Sequence, residues 1–191
     1  MVLACVIGLG NPGPEYQGTR HNVGFDWVER LAADHGGTFK HERKLFADVA
    51  RIRLAGADLR LVKPQTFMNR SGQSVLAVAQ FFKWSPEQLL VVHDELDLPT
   101  GTARLKQAGG HGGHNGLRDI SARLGPDYLR LRLGVGHPGH KARVTGHVLN
   151  RAGRDEQTEI DSAIDRSIDV LPVLLNDGLE KAMQALHSAR T

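Results

Sequence analysis

Among the side chains in this sequence that could carry out chemistry are a histidine, an aspartate and an asparagine. His21 stands in "TRHN", Asp94 follows "LLVVH", and Asn11 stands in "GLGNPG". A carboxylate that fixes the tautomer of a histidine and stabilises its imidazolium makes that histidine a general base for water. An amide can donate to a carbonyl oxygen while this oxygen becomes an oxyanion. The set therefore suits hydrolysis by an activated water molecule.

Covalent and metal-dependent chemistries have weaker support. The sequence has no G-x-S-x-G motif for a serine nucleophile, and its one cysteine, Cys5, lies in an apolar segment typical of a buried hydrophobic residue. His111 and His114 in "HGGH", together with the acids of "HDELD", form an alternative metal site. The glycines between the two histidines deny them the fixed helical spacing of H-E-x-x-H, so we expect no metal.

The glycine-rich segment "GLGNPG" has the spacing of a dinucleotide-binding loop after the apolar run "VLACVI". Such a loop needs a helix to begin at its second or third glycine, but Pro12, Pro14 and Gly18 keep the chain irregular until about His21. The following segment "GGTFKHER" also lacks a strand end that carries an acid for the ribose hydroxyls. We therefore interpret the loop as a tight turn that presents Asn11, and we expect no nucleotide cofactor.

Alternating strands and helices must position these residues. Apolar, β-branched runs predict strands at 2–8, about 46–54, 58–63, 89–93, about 102–107 and 129–135. Helical periodicity predicts helices at 22–35, 71–83, 115–124, about 155–175 and 178–188, with one capped turn at "SPEQ", residues 85–88. The alternation predicts an α/β sandwich, and the turn "AGAD" predicts a hairpin within a mixed sheet.

Polar clusters follow several of the predicted strands, in "VKPQTFMNRSG", "LLVVHDELDLP" and "QAGGHGGHNGL". Ligands of open α/β sheets bind at such strand ends. Each residue alone has a simpler explanation, since Asn69 and Asn115 could cap helices, Asp94 could pair at the surface, and His21 could be solvated at a helix start. It is their joint placement that favours a site.

Composition places the chain among ordinary globular proteins. It has 191 residues, 40% of them hydrophobic and 24% charged, which fits one domain. No apolar run approaches the roughly 20 residues of a membrane helix, and no secretory signal is visible, so we expect a cytoplasmic protein without a membrane partner. The net charge of +3 permits a polyanionic partner without requiring one.

Four segments together resemble the bacterial peptidyl-tRNA hydrolase family: "GLGNPGPEYQGTRHNVGF", "KPQTFMNRSG", "HDELDLPTGTARLKQAGGHGGHNGLRDI" and "RLRLGVGHPG". They occur in the family's order and cover most of residues 5–139. The resemblance implies a three-layer α/β/α sandwich around a mixed, mostly parallel twisted sheet, as a single monomeric domain over residues 1–191. It also implies hydrolysis of the ester bond between peptide and tRNA without metal or cofactor, which recycles tRNA from stalled translation.

The resemblance also implies roles for individual residues. By motif position, His21 is the catalytic base, Asp94 orients it, and Asn11 contacts the peptide portion of peptidyl-tRNA. Lys106 and Arg132 resemble the family's clamp for the tRNA 5′-phosphate. The residues that would bind the peptide and the acceptor end of the tRNA, or line the cleft, are Tyr16, Phe67, Met68, Asn69 and Asn115.

Further cations lie near these motifs. Residues two apart in a strand share a face, so Arg104 is expected beside Lys106 and Arg130 beside Arg132, although a solvated basic face is an equal alternative. The loop at 137–150, which is rich in Gly, His and basic residues including Lys141 and Arg143, is a candidate mobile lid.

Two other functions stay open at this point. One is a catalytically silent RNA-binding relative, because a fold can keep a basic face after its function changes. The complete set of His21, Asp94 and the three asparagines argues against it, since a pure binder needs no base. The other is a metal-dependent peptidase or a phosphorylase-like enzyme on a similar sandwich, which insensitivity to a chelator would eliminate.

Overall fold

The computed structural model describes residues 2–188 and contains one sheet of seven strands in the order β2-β3-β4-β1-β5-β7-β6. The four central strands β4, β1, β5 and β7 are parallel, whereas β2, β3 and β6 pair antiparallel with their neighbours. The strand bounds are β1 Cys5–Gly8, β2 Lys40–Glu42, β3 Ala47–Leu54, β4 Ala57–Pro64, β5 Leu89–Glu95, β6 Ala103–Gln107 and β7 Leu129–Gly134. The predicted mixed, mostly parallel sheet is confirmed.

Helices cover both faces of the sheet. They are α1 Val23–Asp34, α2 Ser71–Phe82, α3 Asn115–Leu124, α4 Val144–Val148, α5 Arg154–Asp169, α6 Leu171–Asp177 and α7 Leu179–Ser188. One core cluster buries Trp27 of α1 and Ile164 of α5 against one face, and a second buries Val78 of α2 and Ile120 of α3 against the other. The three-layer α/β/α arrangement is therefore confirmed. Within residues 2–188, no helix is both long enough and apolar enough to cross a membrane.

Several local predictions are also confirmed. The hairpin joins β3 to β4 through Ala55 and Gly56, both at positive φ, which suits the twist of a two-residue turn. Ser85 and Gln88 form the predicted capping box at the short turn Pro86–Gln88.

Other predictions need correction. The helix predicted at 155–175 is two helices, because Pro172 has no N–H to continue α5 and instead lies in the first turn of α6. The predicted loop at 137–150 contains α4, the first predicted strand begins only at Cys5, and the exposed strand β2 was missed. The predicted single domain also includes residues 1 and 189–191, which lie outside the described part.

Close packing of α1 on the sheet sets the position of the residues before it. A Cβ on Gly8 would overlap the backbone carbonyl of Gly24, and a Cβ on Gly24 would overlap the backbone of Leu9 and Val92. The two glycines therefore let the start of α1 approach β1 and β5 at backbone contact. The turn that carries His21, Arg20–Asn22, comes directly before this contact.

Candidate active site

A buried carboxylate, Asp94, lies near the carboxyl end of β5 and contacts two histidines. Asp94 Oδ2 lies 2.9 Å from Nδ1 of His21, and Asp94 Oδ1 lies 2.8 Å from Nε2 of His114. Asp94 is only 3% exposed. Each carboxylate oxygen thus has one histidine partner, and the cluster links the turn before α1, the strand β5 and the start of α3.

The hydrogen bonds determine where the protons are. His114 Nδ1 caps α3 by accepting from the backbone N–H groups of Gly116 and Leu117, so the proton of a neutral His114 is on Nε2, from which it donates to Asp94. Since Asp94 is an acceptor, Nδ1 of His21 must donate to it. The lone pair of neutral His21 is then on Nε2, which is the arrangement of a general base.

The electrostatics of the cluster favour an ionised Asp94. Burial alone would raise its pKa, but the charges and hydrogen bonds of His21 and His114 hold the pKa of Asp94 well below its usual range. Burial lowers the pKa of His21, and the charge of Asp94 and its hydrogen bond outweigh that effect, so the pKa of His21 is raised. Asp94 therefore increases the basicity of His21.

A third histidine, His93, supports the same strand end. Its Nδ1 donates to the backbone carbonyl of Asp94 at 2.8 Å, and its ring lies edge-on to His114 with 5.2 Å between centroids. Burial, aided by His114, lowers the pKa of His93 to about 3, so its ring is neutral. Within residues 2–188 its buried Nε2 has no hydrogen-bond partner.

Asn11 is held in one orientation by backbone and side-chain contacts. Its Oδ1 accepts from the N–H of Met68 at 2.7 Å, which leaves Nδ2 as the donor that can face a ligand. Asn22 holds the backbone of Asn11 on both sides, since Asn22 Oδ1 accepts from Asn11 N at 2.8 Å and Asn22 Nδ2 donates to Asn11 O at 2.9 Å. Sequence reasoning missed Asn22, although its amide directly after His21 in "TRHN" was a usable signal.

Asn11, His21, Asp94 and His114 line a cleft of about 270 Å³. Seven of the ten predicted site residues line it, namely Asn11, His21, Phe67, Met68, Asn69, Asp94 and Asn115. Tyr16 is outside the lining but lies edge-on to Phe67, with 6.2 Å between ring centroids. Part of the lining comes from α4 and the residue after it, through Val144, Val148 and Leu149. The segment predicted as a loop thus supplies an apolar wall.

Lys106 and Arg132 line a second cavity of about 230 Å³, which shares Glu95 and Gly112 with the cleft. Arg132 Nε donates to Glu95 Oε1 at 2.9 Å. The two predicted clamp residues are therefore brought together beside the cleft, on the adjacent strands β6 and β7.

Arg130 does not have its predicted role, which was to bind a polyanion from the same face as Arg132. It is 1% exposed, and its guanidinium donates to the carbonyls of Gly109, Gly110 and Pro126 at 2.7, 2.8 and 3.2 Å. The alternation of β7 does place it with Arg132 in the second cavity. The glycine loop covers it, however, so Arg130 supports that loop instead of offering its charge.

The same cluster offers three potential metal ligands, because one ligand atom each of His21, Asp94 and His114 lies within 4.8 Å of the others. These atoms already share two hydrogen bonds, so an ion would have to displace the protons that the histidines donate to Asp94. His111, half of the alternative metal pair, lies outside this group, and its Nδ1 accepts from Gly113 N.

Comparison with known proteins decides between the remaining functions. The model of the family described as peptidyl-tRNA hydrolase matches residues 5–191. The chain belongs to the peptidyl-tRNA hydrolase family. Curated peptidyl-tRNA hydrolases of Azotobacter vinelandii and Halorhodospira halophila are 54% and 55% identical over 187 and 184 residues, covering 97% and 96% of this chain and 96% and 95% of those proteins. As a member of this family, the protein hydrolyses peptidyl-tRNA and binds tRNA.

The crystal structure of the Acinetobacter baumannii peptidyl-tRNA hydrolase superposes with a TM-score of 0.96 at 47% identity, covering 98% of this chain and 96% of that one. The predicted family and its fold are therefore confirmed, and the peptidase and phosphorylase-like alternatives are set aside. The roles of individual residues in peptidyl-tRNA hydrolysis follow as proposals.

Proposed function

We propose that His21 is the general base of the peptidyl-tRNA hydrolase reaction and that Asp94 orients it. The observation that carries this proposal is the 2.9 Å contact between His21 Nδ1 and Asp94 Oδ2, which leaves His21 Nε2 without a proton. Because Asp94 also raises the pKa of His21, the free Nε2 is a stronger base than an ordinary imidazole. His114 is a positioning residue, since its bond fixes the second oxygen of Asp94.

The reaction needs one water and no covalent enzyme intermediate. His21 Nε2 accepts a proton from the water while the water oxygen attacks the ester carbonyl carbon, and the carbonyl oxygen becomes an oxyanion. Asn11 Nδ2 donates to this oxygen, as the fixed orientation of its amide allows. When the tetrahedral intermediate collapses, the bond to the ribose oxygen breaks and the imidazolium returns the proton to that oxygen. The products are a peptide acid and a tRNA with a free ribose hydroxyl.

Substrate binding follows from the rest of the cleft. Asn69 and Asn115 offer amide hydrogen bonds at its rim, and exposed Phe67, braced by Tyr16, offers a ring for stacking on a base. Lys106 and Arg132 would hold the tRNA 5′-phosphate, because their cavity adjoins the cleft that contains the base. Action as a monomer in the cytoplasm, without metal, stays a prediction.

The candidate lid at 137–150 is proposed to move only in its first half. His147 Nε2 contacts the carbonyls of Val135 and Gly136, each at 3.0 Å, and Arg20 donates to the His147 carbonyl. Residues 137–143 have mainly local bonds, such as Gly139 N to His137 Nδ1. Movement of this half would open or narrow the approach to the cleft while α4 stays in place.

Release of peptide from an N-blocked aminoacyl-tRNA, measured with EDTA present throughout, tests the proposal. We expect His21→Ala to lose at least about 100-fold in rate, because proton transfer by a positioned base contributes roughly that much. The matched control is His41→Ala, since His41 also pairs with an aspartate, Asp48, at 2.8 Å but is exposed and outside the cleft. Full activity of His21→Ala would exclude it as the base, and loss of native activity in EDTA would indicate a metal.

A further inference from the structure

A third and larger cavity, a groove, lies at the opposite edge of the sheet from Lys106 and Arg132. Its volume is about 780 Å³, and it is formed by β2, the turn Arg43–Leu45, β3, the middle of β4 and the last turn of α2. From β3 to β6 there are five steps between neighbouring strands, so at about 4.8 Å per step this groove is roughly 24 Å from the clamp strand. We call it the basic groove.

The charge of the basic groove is strongly one-sided. Five cationic side chains line it, Lys40, Arg43, Lys44, Arg51 and Arg60, against one carboxylate, Glu42. The chain as a whole carries a net charge of only +3. Among the ion pairs within residues 2–188, only Arg51 of these five takes part, with exposed Asp58 at 3.0 Å. The other cations are available to an anionic partner.

An aromatic ring stands exposed among these cations. Phe81 is 64% exposed, and its ring meets Phe82 edge-on at 4.8 Å between centroids. Phe82 is itself fixed, because Trp84 stacks on it at 4.4 Å and Arg60 lies 5.3 Å from its centroid. Phe81 is therefore a braced ring that faces solvent beside free ammonium and guanidinium groups.

We propose that the basic groove binds a single-stranded RNA segment, in addition to the substrate end held in the catalytic cleft. A base would stack on Phe81, and the flanking phosphates would pair with Lys40, Arg43 and Lys44. Exposed aromatic rings combined with a row of cations are the usual means of binding single strands, since every base offers a face for stacking. A duplex would present its phosphates to the cations but no unstacked base to Phe81.

The test is fluorescence anisotropy of a labelled oligouridylate of roughly eight nucleotides, titrated with the full-length protein. Lys106→Ala/Arg132→Ala serves as the background, so that the clamp cavity does not contribute. We expect Phe81→Ala to weaken binding by roughly 5- to 100-fold. The double variant Arg43→Glu/Lys44→Glu should weaken RNA binding more than Phe81→Ala does. It should also reduce the slope of log affinity against log salt by about 1.4, because two phosphate contacts are lost.

The control is Lys181→Glu, which reverses an exposed cation on α7, the helix that packs on β6 at the opposite edge of the sheet from the groove. Binding that neither groove variant weakens, or that Lys181→Glu weakens equally, would overturn the proposal. Equal affinity for an oligoglutamate peptide or for a duplex of the same length would also overturn it. Hydrolysis of N-blocked aminoacyl-tRNA by Phe81→Ala in the native background should be unchanged, which separates this result from any failure of the catalytic proposal.

Discussion

Acidification should destabilise the fold through His93, because this buried ring cannot accept a proton without loss of stability. Its pKa is about 3 in the folded chain against 6.5 for an ordinary histidine. The unfolded chain thus binds the proton first, so the contribution of His93 is complete above pH 6.5 and is lost as the pH falls toward 3. Lowering the pH from about 7.5 to about 5 should remove about 2 kcal/mol from the free energy of unfolding.

The assay compares urea unfolding of the native chain with that of His93→Asn at both pH values, followed by the fluorescence of Trp27 and Trp84. Asparagine keeps an N–H near the position of Nδ1, from which His93 donates to the Asp94 carbonyl, but it does not titrate. The variant is less stable at every pH because it loses ring volume. Between the two pH values, the free energy of unfolding of the variant should fall by about 2 kcal/mol less than that of the native chain.

His35→Asn is the matched control, since His35 Nδ1 also contacts a backbone carbonyl, that of Leu31, but the residue is exposed. This control should keep the native dependence on pH. Equal losses for the native chain and His93→Asn would refute the reasoning, because they would mean that His93 is protonated in the folded chain as readily as in the unfolded one.

Three further predictions concern the cleft. Asp94→Asn removes the carboxylate charge that raises the pKa of His21, so the acid limb of kcat/KM should move to lower pH. At the same time kcat should fall at least roughly 100-fold, because a neutral amide fixes the tautomer of His21 less well; an unmoved limb would contradict this. Asn22→Ala should lower kcat by roughly 10- to 100-fold without contacting substrate, because it frees the backbone of Asn11, and native kcat in a folded variant would exclude this role. Amide exchange in residues 137–143 should be at least about 100-fold faster than in β5, and equal protection would count against a moving lid.

The position of the site could be predicted from the sequence because it depends on chain direction. The carboxyl ends of parallel strands meet at one edge, so the polar residues after β1 and β4 and at the end of β5 had to converge there. This argument placed Asn11, Asn69 and Asp94 together without any knowledge of contacts. The turn "AGAD" between two apolar runs predicted the hairpin of β3 and β4.

Other features depend on contacts that spacing does not encode. Alternation predicted the face of Arg130 correctly, but only the fold shows that a glycine loop covers it and uses its donors. His114 was considered as a metal ligand, whereas its cap bonds at α3 determine which nitrogen donates to Asp94. The strand β2, "KHE", is exposed and polar, so it has no apolar alternation to detect. Pro172 was a readable signal for the break between α5 and α6.

The distance between His21 and Asp94 depends on how closely the backbone of Gly24 approaches that of Gly8. Any side chain at either glycine would push α1 away from the sheet, and the turn bearing His21 would move with it while Asp94 stayed on β5. A substitution of Gly8 or Gly24 would therefore lower the rate of hydrolysis, although neither residue has a side chain that could take part in the reaction. The close packing of α1 on β1 and β5 therefore limits which substitutions the enzyme tolerates, in addition to the limits set by its polar site residues.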